Sequence, residues 1–347
     1  MSKKNDPRQV FEKAFFSGDY GISGDYDPFD IEEEVVDTND IPQPKDIKEY
    51  MDRFIIGQEY AKKTIATLMV NHLHRAEHNE LATKSTEKLK KSNILLIGDS
   101  GVGKTLCVKV AAEYVDIPII IEDATKLTQE GYVGDSVDTL LTRLILEAGG
   151  DVEKAEKGIV FLDEFDKLSS DGESRSNVST GAVQQSLLKM VEGGEFYVPD
   201  RLGERQNTGK VPINTDSITF IFAGAFGGLA SKIKSEVSLG FTESTREREV
   251  LEQDIIDYGI MPEILGRIGT YITLHELSDD DMLKILTEVE NSIVQQYRKL
   301  FELRGLKWKL NKRHYKSIIK ECKESKLGAR GLQRHVEQLL LEDMYNE

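Results

Sequence analysis

The feature that most constrains this chain lies between Ile94 and Tyr114. There an apolar run, Ile94-Leu-Leu-Ile97, passes through Gly98-Asp-Ser-Gly-Val-Gly-Lys-Thr105 into a helical pattern from Leu106 to Tyr114. Strand, glycine-rich turn, Gly-Lys-Thr and helix in that order read as a phosphate-binding loop. The glycines let backbone N–H groups point inward around an anion, and the helix N-terminus adds partial positive charge beneath it. Asp99, Ser100, Gly101, Val102, Gly103, Lys104, Thr105 and Leu106 are therefore expected around the phosphates. Lys104 can reach the β- and γ-phosphates, and the Thr105 hydroxyl can ligate Mg²⁺.

The pattern around this loop alternates. Strands are expected at Asn93–Ile97, Pro118–Glu122, Gly158–Asp163, Ser217–Ala223 and Thr270–Leu274, with helices at Thr105–Tyr114, Val137–Glu147 and Thr180–Val191. That order predicts an α/β fold, a parallel five-stranded sheet flanked by helices on both faces. The polar stretch Val198–Asn214 reads as a long loop. Ahead of the sheet, Ile41-Pro-Gln-Pro44 marks a boundary. Asp46 is expected to cap a helix over Ile47–Arg53, and Ile55-Ile56-Gly-Gln-Glu59 turns into a second helix ending near Asn79. After Leu274 strands nearly vanish. Asp279–Leu303 reads as one long helix capped by Ser278, followed by a short strand at Trp308–Leu310 and helices near 311–325 and 330–345. Three regions follow: an acidic, weakly ordered segment over 1–40, a large α/β domain over 41–275, and a smaller, mostly helical domain over 276–347.

Composition removes several function classes. No apolar run approaches the roughly 18 residues of a bilayer span, and no secretory signal is evident. The chain's two cysteines, Cys107 and Cys322, are too few for a disulfide framework or a four-cysteine zinc site. A cytoplasmic, reducing setting without zinc and without a membrane is expected. His74 and His78 share a helix face but lack an evident third ligand. The net charge of −16 argues against a nucleic-acid partner. Residues 1–40 carry eleven acidic and four basic residues, studded by Phe15, Phe16, Tyr20, Tyr26 and Phe29. They read either as a solvated leader or as a docking segment.

The second chemical element is Gly158-Ile-Val-Phe-Leu-Asp163-Glu164. An apolar strand ending in two acids places Asp163 near Mg²⁺ and Glu164 where it can polarise an attacking water. Arg267, just before the last strand, and Arg330, opening the last helix, are candidates to stabilise phosphoryl charge, in cis or across a subunit boundary. On spacing alone each also fits a surface ion pair. Gly131-Tyr-Val-Gly134 puts Tyr132 and Val133 between glycines, which suits an exposed, flexible grip better than a core element, although an ordinary turn has the same spacing.

Taken together, these motifs resemble the ClpX family of AAA+ protein-unfolding ATPases. The match runs from about Ile41 to Tyr345 through Ile55-Ile-Gly-Gln-Glu59, the phosphate loop, Ala124-Thr-Lys-Leu-Thr128, Gly131-Tyr-Val-Gly134, Asp163-Glu-Phe-Asp-Lys167, Gly181-Ala-Val-Gln-Gln-Ser-Leu-Leu188, Ala225-Phe226, Pro262-Glu-Ile-Leu-Gly-Arg267 and Gly328-Ala-Arg-Gly331. HslU is similar in the Tyr-Val loop but carries a large insertion for which this chain has no room. The resemblance implies an AAA+ P-loop ATPase that uses ATP and Mg²⁺, assembles as a homohexamer and pulls unfolded or tagged polypeptides through a central pore. It implies that Tyr132 and Val133 grip substrate, that Arg267 reaches the neighbour's nucleotide, that Arg330 senses nucleotide in its own subunit, and that Ile55 and Ile56 flank the adenine. Leu239-Gly-Phe241 is similar to the tripeptide by which the family docks on its ClpP peptidase.

The chain departs from the family at several points. The family's zinc-binding N-terminal domain has no counterpart, and the acidic segment stands in its place. Asp200-Arg-Leu-Gly-Glu-Arg-Gln-Asn207 replaces the Arg-Lys-His pore-entrance loop, and Asp99-Ser100 stands where Pro-Thr is expected. The fourth strand ends in Ala223-Gly-Ala225, without a polar sensor side chain. The leading reading is an unfoldase feeding a ClpP-like peptidase; its rival is a remodelling ATPase that works without a peptidase. A nucleic-acid motor is disfavoured by the acidic balance, and a pure nucleotide switch by the four charged residues Asp163, Glu164, Arg267 and Arg330.

Overall fold

The computed structural model describes residues 41–84, 86–128, 135–169, 177–199, 209–227, 229, 250–306, 308, 310–325 and 327–346. Residues 1–40, Tyr132, Val133, Leu239, Gly240 and Phe241 lie outside them.

Two helices lead in, α1 (Pro44–Asp52) and α2 (Glu59–Leu81). The first is capped one turn earlier than the sequence suggested. Gln43 is the N-cap and Asp46 sits at the third helical position, its carboxylate accepting from the Gln43 N–H at 3.1 Å. Proline at the first helical position fits there because it has no N–H to lose. Then come β1 (Asn93–Ile97), α3 (Lys104–Tyr114), β2 (Ile119–Asp123), the two-residue strands β3 (Leu127–Thr128) and β4 (Asp135–Ser136), α4 (Asp138–Glu147), α5 (Val152–Glu156) and β5 (Ile159–Asp163). Helix α6 (Asn177–Glu192) leads to the hairpin β6 (Glu195–Pro199) and β7 (Lys210–Asn214), then β8 (Thr219–Gly224), α7 (Glu252–Ile256), α8 (Pro262–Leu265) and β9 (Ile268–Thr273).

The main sheet has the order β2-β5-β8-β1-β9, and every pairing in it is parallel. β1 and β8 are buried along their whole length, as a parallel sheet covered on both faces requires. Alternate residues feed two cores. Leu95, Val160, Leu162, Phe220 and Phe222 face α4 and α6. Ile94, Leu96, Phe161, Ile221 and Ala223 face the side of α1, α2 and α3.

Three expectations change. The stretch Val198–Asn214 is not simply a loop: its ends pair as β6 and β7, antiparallel, with Phe196 opposite Ile213 and Val198 opposite Val211. The helix expected over Asp279–Leu303 is broken into α9 (Asp279–Thr287) and α10 (Ile293–Leu303). Asn291 takes the left-handed conformation at φ 55°, and the Ser292 hydroxyl caps α10 by accepting from the Gln295 N–H. The break is fixed from outside, since the Glu290 N–H donates to the Arg53 carbonyl and the Arg53 Nε to the Glu290 carboxylate at 2.6 Å. With α11 (Lys312–Glu324) and α12 (Arg330–Asn346), these helices share a third core built on Leu286, Phe301, Ile318, Leu332 and Val336. Trp308 is not in a strand; it stacks on Phe301 at 5.4 Å.

Candidate nucleotide site

The phosphate loop leaves the finishing end of β1 beside the finishing ends of β5 and β8, as the parallel order dictates. Gly98 N–H donates to the Gly224 carbonyl at 3.2 Å, and α3 begins at Lys104. Gly101 and Gly103 hold φ values of 79° and 105°, a region costly for any residue with a Cβ. Lys104 is 8 % exposed, and its ammonium donates to the carbonyls of Gly98 at 2.5 Å and Asp99 at 2.9 Å. Burial lowers its pKa from the ordinary value, against an upward pull from Asp163. The Thr105 hydroxyl donates to Asp163 Oδ2 at 2.9 Å, and the Glu164 N–H donates to Asp163 Oδ1 at 2.9 Å. Glu164 itself is left-handed, φ 56°, with an exposed side chain. Arg330 reaches Asp163 Oδ2 at 3.8 Å from the start of α12. Asp99, Ser100 and Leu106 are exposed, Val102 and Ile55 are buried, and Ile56 is half-buried.

This donor set fits a nucleoside triphosphate and its Mg²⁺. A hydroxyl and a carboxylate within 2.9 Å of each other can share one cation. Among the described residues the Lys104 ammonium hydrogen-bonds only to neutral carbonyls, and a phosphate is the stronger acceptor. Among the described residues no group of three His, Cys, Asp or Glu side chains could hold a further metal.

Arg267 is not brought to this cluster. It precedes β9 at the starting end of the sheet, where its carbonyl accepts from Asn93 Nδ2 at 2.8 Å and its guanidinium pairs with Glu192 at 2.9 Å.

Gln58, Gln184 and Asp166 fall within motifs that carry the family resemblance, but the contacts they make were not legible in the sequence. Gln58 links the Val102 carbonyl to His275 by donating at 3.3 and 2.7 Å while accepting from the His275 N–H at 3.1 Å. Buried Gln184 donates to the Leu168 carbonyl and accepts from the Met261 N–H, so it ties α6 to the segment that carries Arg267. Asp166 is 2 % exposed; among the described residues its Oδ2 accepts no hydrogen bond but lies 3.4 Å from the Lys167 ammonium, and the side chain sits against Gly224 so closely that a Cβ there would be 2.8 Å from Oδ1. It supplies a carboxylate where the strand end itself has no polar side chain.

Comparison with known proteins places this geometry. Residues 89–271 match the family model described as AAA domain (Cdc48 subfamily), and residues 277–347 match that of the C-terminal, D2-small domain, of ClpB protein. A protein of Bacteroides fragilis named ATP-dependent Clp protease ATP-binding subunit ClpX is 37% identical over 326 residues, covering 89% of this chain and 78% of that protein. Proteins of the same name are 37% identical over 322 residues in Treponema denticola, covering 88% and 77%, and 40% identical over 320 residues in Borrelia duttonii, covering 88% and 74%. This chain belongs to the ClpX family. It is an AAA+ ATPase of the ATP-dependent Clp unfoldase family, with an α/β ATPase fold followed by a small helical region. Among the described residues no helix is long and apolar enough to cross a membrane.

Proposed function

We propose that the chain acts in the cytoplasm as a homohexamer that threads unfolded or tagged polypeptides through its pore into a ClpP-like peptidase. The large domain, 41–275, binds and hydrolyses ATP, and the small domain, 276–347, joins it to its neighbours. Lys104 and the loop amides hold the phosphates, Thr105 and Asp163 hold Mg²⁺, and Glu164 takes up a proton from the attacking water. Bound Mg²⁺ supplies neutralisation of phosphoryl charge. Arg330 senses the nucleotide in its own chain, Ile55 and Ile56 flank the base, Tyr132 and Val133 grip substrate, and Leu239, Gly240 and Phe241 dock the peptidase.

The observation that carries the hexamer is the position of Arg267. It stands one five-residue strand, about 17 Å, from its own phosphate loop, at the opposite end of the neighbouring strands β1 and β9. A catalytic arginine there serves a neighbour or serves nothing.

The test mixes two variants. Glu164→Gln and Arg267→Ala should each lower ATP hydrolysis by about 10²- to 10³-fold with ATP still bound. Mixed rings should regain activity, because some interfaces pair an intact Glu164 with an intact Arg267 from the adjacent subunit. Failure to recover on mixing defeats the proposal for Arg267. Deleting Leu239–Phe241 should abolish degradation with a ClpP-type peptidase and spare ATP hydrolysis; unchanged degradation favours a remodeller without a peptidase.

A further inference from the structure

At the starting end of the same strands, between α2 and β1, β5 and β8, lies a cavity of about 170 Å³. A single water takes up roughly 30 Å³, so there is room for more than a bridging water. Its polar lining comes from Asn71, His72, Arg75, Ser92 and Thr219, and its remaining walls are aliphatic; no carboxylate lines it.

Arg75 is only 7 % exposed. One terminal nitrogen, Nη2, lies 3.0 Å from both Thr219 Oγ1 and His72 Nδ1, while among the described residues Nε has no hydrogen-bond partner. His72 can be assigned a tautomer. Its Nε2 lies 2.8 Å from the Lys157 carbonyl, which only accepts, so Nε2 carries the proton and Nδ1 is the acceptor. The Thr219 hydroxyl, 2.9 Å away, then donates to that same Nδ1. Burial holds the His72 pKa down at about 4, so the ring is neutral at neutral pH.

Arg75 is thus a buried cation whose partners are all neutral. Among the described residues no carboxylate pairs with it, and burial alone shifts its pKa, downward. Lys91 adds little to the positive potential: burial lowers its pKa to about 7, Asp216 pulls against that, and its ammonium is engaged by the Met190 and Thr215 carbonyls at 3.3 and 2.7 Å. A guanidinium out of water without a counter-charge is costly, and a dianion would be costly to strip of its hydration against aliphatic walls.

We infer that this cavity binds a small, weakly hydrated monovalent anion of the halide class. The Arg75 guanidinium supplies the charge, and the Asn71 amide and Ser92 hydroxyl serve as further donors. The site is separate from the phosphate loop, which lies at the other end of β1.

The probe is bromide, used on the full-length chain at constant ionic strength against sodium gluconate. The melting midpoint should rise saturably, by roughly 2 °C or more at saturation, and Arg75→Met should remove the rise. If Arg75→Met fails to fold, crystals of the unaltered chain soaked in bromide decide by themselves. An anomalous peak is expected in the cavity within hydrogen-bonding reach of Arg75 Nε. An empty or water-filled cavity at saturating bromide, a peak only at the phosphate loop, or an equal rise in Arg75→Met overturns the inference. A rise with phosphate but none with bromide overturns the choice of a monovalent anion.

Discussion

At their finishing ends β1, β5 and β8 run out into Gly98, Asp163 and Gly224; at their starting ends stand Asn93, Ile159 and Thr219. Each end buries one cation to a similar degree, Lys104 at 8 % and Arg75 at 7 % exposure. Their surroundings differ. Asp163, Asp166 and Asp99 all pull the Lys104 pKa upward against burial, whereas Arg75 meets only a neutral imidazole and a hydroxyl. Burial of a charge therefore does not by itself mark a catalytic group. Partner chemistry separates a cation poised for phosphate from one that waits for a different anion.

Phe161→Ala tests whether the two ends are mechanically independent. Phe161 is fully buried in the middle of β5, between the two clusters. The variant should lose about 3–5 kcal/mol in urea unfolding, with the ATP KM of the folded protein within about twofold of the original. A large change in KM would join the two ends into one unit.

The next effect belongs to the starting end alone. His72 has a pKa of about 4 in the folded chain against an ordinary 6.5, so between those values only the unfolded state binds the proton. Its contribution is complete above pH 6.5 and is lost as the pH falls toward 4, about 3 kcal/mol in all. Unfolding free energies measured across that window should fall less steeply for His72→Gln. Parallel curves for the two proteins would remove the histidine from the account.

The smallest effect belongs to the finishing end. Gly328 has φ +56°, and a Cβ there would lie 2.5 Å from the Ser100 carbonyl oxygen. Gly305 has φ +76° with nothing near its missing Cβ. Both alanine variants carry the cost of a left-handed residue, about 1 kcal/mol. Gly328→Ala should add a further loss of about 1 kcal/mol and weaken ATP binding; equal stability in the two variants would mean that the phosphate loop yields freely.

The three inner strands of the main sheet, β1, β5 and β8, were legible because a strand buried on both faces is a nearly unbroken apolar run, as in Asn93-Ile-Leu-Leu-Ile97. The hairpin was not. β6 and β7 are largely exposed, contain Pro199 and Pro212, and are held by each other across a long separation. The break between α9 and α10 has no glycine or proline to announce it and depends on Arg53, 237 positions from Glu290. In the nucleotide cluster Lys104, Thr105 and Asp163 could be read from two local motifs, whereas Gln58, Gln184 and Asp166 act through contacts that no local pattern encodes. The same holds for His72 and Thr219, which meet across 147 positions.

The contact between the segment around Gly328 and the phosphate loop is built from main chain on both sides. The Ala329 N–H donates to the Gly101 carbonyl at 3.0 Å, with Gly328 seated against Ser100 and Gly101. Atoms shared by every residue type except proline make the bond, so most substitutions at position 329 leave it standing. What can move it is the count of residues between Cys322 and Arg330, where one inserted residue would shift the register of the turn against the loop. The tuning of this joint by evolution is therefore written in segment length, and homologues that differ freely in side chain here should agree in spacing.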